Sequence, residues 1–360
     1  MSVLEWAYTV LVINPGSTST KIAWYVRETP TYSENIPHSS QDLSKFTTIA
    51  DQYEFRKDAI LQELSRAGLN LEDLDACVGR GGALKPLVGG VYAVNDRMAH
   101  DLVHAVRAQH ASNLGGLIAR AIADPLGIPS FIVDPVSVDE FEPLARLSGL
   151  PELPRQSLLH ALSIRSTARK VARALGRDLC SVNVIVAHMG GGISISPVKH
   201  GKMVDVNGAN DEGPFSAERT GSLPSGDVVR MCYSGLYTER DMLDKITRKG
   251  GLVAYLGTND AREVEAMISR GDSRALAVAE AMGYQVAREI GAAATVLAGE
   301  VDAVALTGGL AHWDRLVSDI RRRCVFIAPI YTYPGENEME ALAEGAMRAL
   351  AGLETIRVYE

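Results

Sequence analysis

The 360-residue sequence lacks the signatures of several large protein classes. No apolar run approaches the roughly 18 residues of a membrane-spanning helix, so no membrane segment is predicted. There is no GxxxxGK(S/T) phosphate loop, no GxGxxG after the first predicted strand, no HRD or DFG set and no GxSxG elbow. These absences exclude a P-loop nucleotidase, a typical dinucleotide enzyme, a protein kinase and a serine hydrolase of the common type.

The cysteines and the N-terminus exclude further classes. Four cysteines lie far apart without a CxxC pair, which predicts neither a disulfide framework nor a zinc site. The N-terminus has neither the basic start nor the long apolar stretch of a signal peptide. Free thiols suit a reducing compartment, so we expect a cytoplasmic protein with no membrane partner.

Charge and hydrophobicity narrow the class further. The chain has 36 Lys and Arg against 44 Asp and Glu, a net charge of −8. Such an acidic chain argues against a nucleic-acid partner, which would select a clustered basic face. Because the net charge is negative, an anionic substrate must be attracted by a local cluster of donors.

A hydrophobic fraction of 46% excludes disorder, and the length suggests two domains.

A strand–turn–strand unit occurs twice. The predicted strands are 8–13 and 19–25 in the first half, and 182–187, 193–198 and 203–206 in the second. Helical patterns cover 94–109, 158–175, 273–299 and 338–350, with further strands at 130–134 and 301–306. Two halves that open with the same meander and then alternate strands with helices predict a duplicated α/β fold.

Small-residue turns follow three of the predicted buried strands. Asn14 to Lys21 combines backbone amides, several hydroxyls and a lysine, as a polyphosphate site requires. The other two turns contain Gly190, Gly191 and Gly192, and Gly308 and Gly309. An ordinary β-turn explains the first and a helix-capping turn the last, whereas convergence of all three at one crevice predicts a phosphate site.

Five motifs follow one another along the chain, at 14–21, 79–82, 187–192, 213–219 and 307–312. In this order they resemble the motifs of the acetate and butyrate kinases, and most closely those of the butyrate kinases. The resemblance runs nearly from end to end. It implies an α/β, duplicated ribonuclease-H-like (actin-like ATPase) fold with two domains around a cleft. The implied division is a carboxylate-side domain of residues 1–157 and 338–360 and a nucleotide-binding domain of residues 158–337.

The resemblance also implies roles for individual residues. The catalytic residues are Arg80, which matches the arginine that binds the substrate carboxylate, His160, Arg219 and Asp134. The phosphate- and ATP-binding residues are Asn14, Ser17, Ser19, Lys21, His188, Gly190, Gly191, Gly192, Asp260, Arg262, Gly308 and Gly309. The metal-binding residues are Asn14, Asp134 and Glu338, with Glu336 and Glu340 as alternatives to the last.

The chemistry of these residue types agrees with the implied roles. A guanidinium fork fits a planar carboxylate better than an ammonium group does, which suits Arg80. A carboxylate at a strand end, such as Asp134, suits magnesium. The structural alternatives are a surface arginine in a turn at Arg80, a helix cap at Asp134 and core packing for His160 and His188.

Two positions depart from the acetate kinases. Their histidine before the asparagine of the first domain is Ser112 here, followed by Asn113, and their arginine near Ser-Gly-Asp is Pro224. Arg219 is the candidate replacement for that second cation. Both departures favour the butyrate branch over acetate.

The function implied is reversible, magnesium-assisted phosphorylation of butyrate by ATP, in a homodimer or higher homo-oligomer. Isobutyrate, propionate and acetate remain alternative substrates. Two more distant alternatives share the fold. A sugar kinase would need a catalytic aspartate base for its hydroxyl nucleophile, and an actin-like or Hsp70-like nucleotide switch would form no acyl phosphate.

Overall fold

The computed structural model describes residues 7–360. Residues 1–6, which belong to the N-terminus compared above with a signal peptide, lie outside the described residues. The strands of this part are β1 (Thr9–Pro15), β2 (Ser19–Val26), β3 (Thr29–Pro37), β4 (Ala76–Arg80), β5 (Val91–Ala93), β6 (Ser130–Val133), β7 (Asn183–Met189), β8 (Ile193–Lys199), β9 (Lys202–Met203), β10 (Ala303–Gly308), β11 (Ile330–Pro334) and β12 (Ile356–Arg357).

The α-helices of residues 7–360 are α1 (Ser40–Leu43), α2 (Tyr53–Arg66), α3 (Asp96–Val103), α4 (Asn113–Ala123), α5 (Ala161–Ala174), α6 (Ser225–Cys232), α7 (Glu239–Thr247), α8 (Gly251–Leu256), α9 (Ala261–Ser269), α10 (Ser273–Val296), α11 (Asp314–Cys324) and α12 (Glu338–Leu350). Short 3-10 helices occur at Ala50–Gln52, Leu71–Asp73, Asp124–Leu126, Pro143–Arg146, Leu179–Ser181 and Gly309–His312. None of the helices described is long and apolar enough to span a bilayer.

The chain divides into two compact units, residues 7–138 with 337–360 and residues 139–336. The sequence predicted the first boundary after residue 157. The structure assigns residues 139–157 to the second unit because hydrogen bonds attach them there. The Glu140 carboxylate accepts from Arg165 and from the Met203 amide, all at 2.8 Å, and the Glu142 amide donates to the Val204 carbonyl.

The first unit is built on a seven-stranded sheet in the order β12-β5-β6-β4-β1-β2-β3. β1, β4 and β6 run parallel, and β2 and β3 continue β1 as an antiparallel meander. Because the three parallel strands are almost wholly apolar, both of their faces are covered by helices. Ile132 packs beside α4 and the adjacent Val133 beside α12, which places these two helices on opposite faces.

The second unit has a five-stranded sheet in the order β11-β10-β7-β8-β9. β7 and β8 form an antiparallel hairpin, and β10 runs parallel to β7 and β11. Helix α5 packs against β7 and β10, and α10 packs against β7, β8 and α11. Because β7 and β10 are parallel neighbours, the glycines that follow them lie at the same edge of the sheet.

Three predicted elements end at least three residues earlier than the sequence patterns indicated, and one of them, the helix predicted over 273–299, ends at Val296 as α10. The predicted helix 94–109 stops at Val103, because Ala105 adopts a left-handed conformation with φ of +48° and reverses the chain. The predicted strand 203–206 is limited to Lys202–Met203. Beyond it, the Val204 amide still donates to the Pro197 carbonyl, but Pro197 has no N–H to return the bond, and the Val204 carbonyl accepts from the Glu142 amide instead.

Candidate active site

The carboxyl ends of three parallel strands in the first unit bring together residues that are distant in sequence. Asn14 lies near the end of β1, Arg80 is the last residue of β4, and Asp134 follows β6 directly. Ile13 pairs with Gly79, and Arg80 pairs with Val133. Strands in this register end at one edge of the sheet, where ligands of α/β proteins bind.

Arg80 and Asn14 meet Glu338 at this edge. Nη1 of Arg80 lies 2.9 Å from Oε2 of Glu338, and Nδ2 of Asn14 donates to the same oxygen at 2.8 Å. Glu338 is the first residue of α12, where the helix dipole stabilises a negative charge. Glu336 instead lines a cavity of the second unit, and Glu340 lies near Tyr25, whose pKa is raised to about 12 mainly by burial. Of the three acids, Glu338 is therefore the one that contacts Arg80 and Asn14.

The glycines around Arg80 serve packing. A β-carbon at Gly79 would overlap the Gly115 carbonyl, and one at Gly82 would overlap the side chain of Asn113. The close approach lets Asn113, the first residue of α4, accept a hydrogen bond from the Ala83 amide at 2.9 Å. Asn113 thus supports the loop after Arg80 from the start of a helix.

His110 is a residue that sequence reasoning missed. Its Nδ1 lies 2.7 Å from the hydroxyl of Ser112, the position where acetate kinases have a histidine. Partial burial and then the positive charge of Arg80 lower the pKa of His110, which keeps the imidazole neutral near pH 7. A histidine two positions before Ser112 was the available signal in the sequence.

The turn after β1 exposes the predicted phosphate-binding side chains. Ser17 and Lys21 are exposed and Ser19 is half-buried, and Lys21 lies opposite Asn14 in the β1–β2 register. Within the described part of the chain, neither the Ser17 hydroxyl nor the Lys21 ammonium has a hydrogen-bond partner. On the inner side of the turn lies Arg56, a buried arginine that the sequence analysis did not select.

His38 should make the first unit sensitive to acid. Its ring is buried against Thr20, and burial followed by the charge of Arg56 lowers the pKa of His38 to about 4. The unfolded chain therefore binds a proton near pH 6.5, where the folded chain does not. We expect the free energy of unfolding to fall by about 2 kcal/mol between pH 6.5 and pH 5 through this group. Urea denaturation of the wild type and His38→Gln at both pH values measures the difference. Equal pH dependence in the two proteins, with exposed His104→Gln as the control, would contradict this expectation.

Asp134 holds its neighbouring loop in place. It is only 4% exposed, and its Oδ1 accepts a hydrogen bond from the Gly90 amide at 2.8 Å. Its own amide donates to the Gly90 carbonyl at 3.0 Å. The backbone φ of +37° is strained for a residue with a side chain, and such strain is concentrated at functional sites.

In the second unit the two predicted histidines are stacked. The ring centroids of His160 and His188 are 4.2 Å apart, with 22° between the planes. Nδ1 of His160 lies 2.9 Å from the Ser194 hydroxyl, and Nδ1 of His188 lies 2.9 Å from the Ser163 hydroxyl. These bonds fix both rings beside the 190–192 turn, where Nε2 of His188 faces Gly190.

The predicted ATP-binding glycines of the second unit fall into two groups. Gly192 packs on the guanidinium of Arg219, and Gly308, with φ of +89°, packs on the Met189 carbonyl. By contrast, β-carbons at Gly190, Gly191 and Gly309 would meet no atom within 3.5 Å. Only the second group has open space on the side where a β-carbon would lie.

Arg219 is held against the 190–192 turn. Its Nη1 donates to the Ala209 carbonyl at 2.5 Å, and among the residues described here it forms no ion pair. Burial lowers the pKa of Arg219, while Glu218 and Asp211 act in the opposite direction. A guanidinium without a bound carboxylate is suited to an anionic ligand.

A cavity of about 1450 Å³ lies within the second unit. Five of the predicted ATP-binding residues line it, namely Gly190, Gly191, Asp260, Arg262 and Gly309, whereas Gly192 and Gly308 do not. Its volume exceeds that of a usual small-ligand pocket and suits a nucleotide.

The polar groups at one wall of this cavity are fixed by hydrogen bonds. Asp260 caps α9 and pairs with Arg262 at 2.6 Å. Glu265 accepts from the Trp313 indole at 2.8 Å and pairs with Arg315 at 2.7 Å, and these partners lower the pKa of Glu265 to about 2. Trp313, Arg315 and Glu265 were not predicted, because they come from segments about 50 residues apart.

Comparisons with known proteins agree with the predicted resemblance. The acetokinase family profile matches residues 154–341. The chain is 53% identical over 354 residues to the protein named butyrate kinase 2 of Clostridium acetobutylicum, covering 98% of this chain and 99% of that protein.

Solved structures agree on the fold. The acetate kinase of Porphyromonas gingivalis has a TM-score of 0.77 at 19% identity, covering 94% of this chain and 99% of that one. The propionate kinase of Francisella tularensis has a TM-score of 0.73 at 18% identity, covering 94% of this chain and 98% of that one. The predicted α/β, actin-like ATPase fold is thereby confirmed. The chain belongs to the acetokinase family and is a phosphotransferase that acts on a carboxyl group.

Proposed function

We propose that this chain transfers the γ-phosphoryl group of ATP reversibly to butyrate, giving butyryl phosphate and ADP. The observation that carries the choice of butyrate is the 53% identity to butyrate kinase 2, which extends over 98% of this chain. Use of ATP follows from membership of a kinase family. Isobutyrate, propionate and acetate are the competing substrates, and a cytoplasmic location remains a prediction.

Arg80 is the proposed carboxylate-binding residue. It already contacts one carboxylate oxygen, that of Glu338, through Nη1 alone. Among residues 7–360, its Nε and Nη2 have no hydrogen-bond partner, so a two-point contact with butyrate is chemically reasonable. The bound carboxylate oxygen would then form a bond to the γ-phosphorus as the bond to the ADP oxygen breaks. Butyrate is ionised near pH 7, so no general base is needed.

The remaining site residues are proposed to hold phosphate oxygens. Ser17, Ser19 and Lys21 offer two hydroxyls and an ammonium group from the first unit. In the second unit Arg219 offers a positive charge, and the fixed rings of His160 and His188 lie beside the 190–192 turn. Such fixed donors stabilise the charge that develops during phosphoryl transfer without having to reorganise.

The residues at the first-unit edge fit a magnesium ion that is partly bound by substrate. Within residues 7–360 no cluster of three or more His, Cys, Asp or Glu side chains could hold a metal alone. Magnesium commonly takes one or two carboxylates together with water and substrate phosphates. Glu338, Asp134 and the amide oxygen of Asn14 would supply the protein ligands. When bound, the ion would neutralise charge on the phosphate oxygens.

A hydroxamate assay tests the function. Purified protein is incubated with ATP, magnesium, hydroxylamine and unbranched acids of one to six carbons or isobutyrate. Butyrate should give the highest kcat/KM for acyl hydroxamate. Preference for another acid would select one of the competing carboxylates. Phosphorylation of a sugar, or ATP hydrolysis without hydroxamate, would reject the proposal.

A homodimer is proposed as the working assembly. Helix α6 has no buried residue, and the surrounding segment exposes Val229, Tyr233 and Leu236 at 54%, 89% and 77%. Apolar surface of this kind is typical of protein interfaces. We expect Val229→Asp to convert the dimer into a monomer in light scattering, whereas Val358→Asp, also at an exposed valine, should leave it a dimer. A monomeric wild type at micromolar concentration would reject the assembly.

A further inference from the structure

Arg56 is a buried cation beneath the turn that follows β1. The residue is 0% exposed, and its guanidinium makes six hydrogen bonds. Nε and Nη2 donate to Gln52 Oε1 at 3.0 and 2.8 Å, and Nη1 donates to the Thr20 hydroxyl at 3.1 Å. The remaining bonds go to the carbonyls of Gly16, Ser17 and Ser19 at 2.8 to 3.1 Å.

These carbonyl bonds determine which way the turn amides point. In a trans peptide the C=O and the following N–H point in opposite directions. Because the Gly16 and Ser17 carbonyls face Arg56, the amides of Ser17 and Thr18 face away from it. Neither amide donates to another backbone group within the described chain. The two amides therefore form an outward pair of donors beside the Ser17 hydroxyl, an arrangement that favours an anion.

The charge of Arg56 is not neutralised locally. Its six hydrogen bonds go to five neutral oxygens, and no carboxylate of residues 7–360 forms an ion pair with it. A buried charge without a counterion is strongly unfavourable unless dipoles or a ligand compensate it. The carbonyl dipoles compensate in part, and an anion on the outer side of the same turn would complete the compensation.

We propose that Arg56 is a positioning residue for phosphoryl transfer, which orients the Ser17 and Thr18 amides and supplies, behind the turn, a positive charge that is only partly compensated. This inference rests on the proposed role of the 14–21 turn in binding phosphate. Arg56 touches no substrate and acts through the backbone of the turn and through its charge.

Gln52→Glu tests the charge while the arginine remains. The new carboxylate replaces a neutral acceptor already at 2.8 Å, so it neutralises Arg56 without removing its bonds. We expect kcat to fall by on the order of tenfold and the KM for butyrate to stay nearly unchanged. The melting temperature should be unchanged or higher. Gln62→Glu, at an exposed residue of the helix that carries Arg56, is the matched control and should behave as wild type.

A second variant and a spectroscopic readout make the result unambiguous. Arg56→Lys keeps the charge but loses most bonds to the turn, so both kcat and the melting temperature should fall. The pKa of His38, measured by NMR, should rise in Gln52→Glu because the Arg56 charge contributes to lowering it. Unchanged kcat in Gln52→Glu with a raised His38 pKa would overturn the electrostatic role, and unchanged kcat in folded Arg56→Lys would overturn the orienting role. Failure of the wild type to form hydroxamate would instead reject the proposed function.

Discussion

Arg80→Lys should lower kcat/KM for butyrate by roughly 10- to 150-fold, the effect of losing one charge-assisted hydrogen bond. Lysine preserves the charge but not the planar fork, so the two-point contact with a carboxylate is lost. ATP affinity should change much less, because the proposed nucleotide cavity lies within the other unit. Steady-state kinetics over butyrate and calorimetric titration with ATP measure the two effects separately.

The control for Arg80 is Arg97→Lys, an exposed arginine of the same unit. It should retain the wild-type KM for butyrate. Arg80 also pairs with Glu338, so the melting temperature of each variant should be measured to detect any loss of folded protein. A wild-type KM for butyrate in Arg80→Lys would show that another group binds the carboxylate.

Replacing Gly308 by valine should lower stability, whereas replacing the adjacent Gly309 by valine should weaken the use of ATP. Gly308 has φ of +89°, and a β-carbon there would overlap the Met189 carbonyl. We expect Gly308→Val to destabilise the fold by about 2 to 6 kcal/mol. Gly309 has open space and lines the cavity, so Gly309→Val should fold normally but raise the KM for ATP by about tenfold or more.

Thermal unfolding and ATP kinetics of the two glycine variants distinguish these outcomes. Each variant is the control for the other, since both make the same change one residue apart. A stable Gly308→Val protein would contradict the packing role of that glycine. A wild-type KM for ATP in Gly309→Val would show that the nucleotide does not approach this part of the cavity.

The elements with strong local patterns could be predicted from the sequence. The last helix was predicted over 338–350 and is Glu338–Leu350, because apolar spacing and small residues persist over its full length. Strand β1 is recognisable because a continuous apolar run ends in turn residues. The ends of α3 and β9 could not be predicted, since a left-handed alanine ends the first and the pairing of Val204 with Pro197, which has no N–H, ends the second.

The sequence could also predict which residue types form the site, but not all of their roles. The glycine turns were predicted correctly as turns after buried strands. Whether each glycine packs or faces the cavity depends on which backbone lies against it, as with Met189 against Gly308. No sequence window contains that information, because the contacting segments are more than a hundred residues apart.

By itself, the sequence determined the duplicated α/β organisation and the family, because strand and helix periodicities and ordered turn motifs are local properties of the chain. Only the tertiary structure selected Glu338 among three nearby acids, since its bond to Asn14 joins residues 324 positions apart. Tertiary packing likewise revealed Arg56, whose position on an ordinary helix says nothing about the carbonyls it contacts. Hydrogen-bond partners of this kind exist only once the sheet edge, the turn and the helices have packed together, and burial then makes a single polar contact strong enough to define a role.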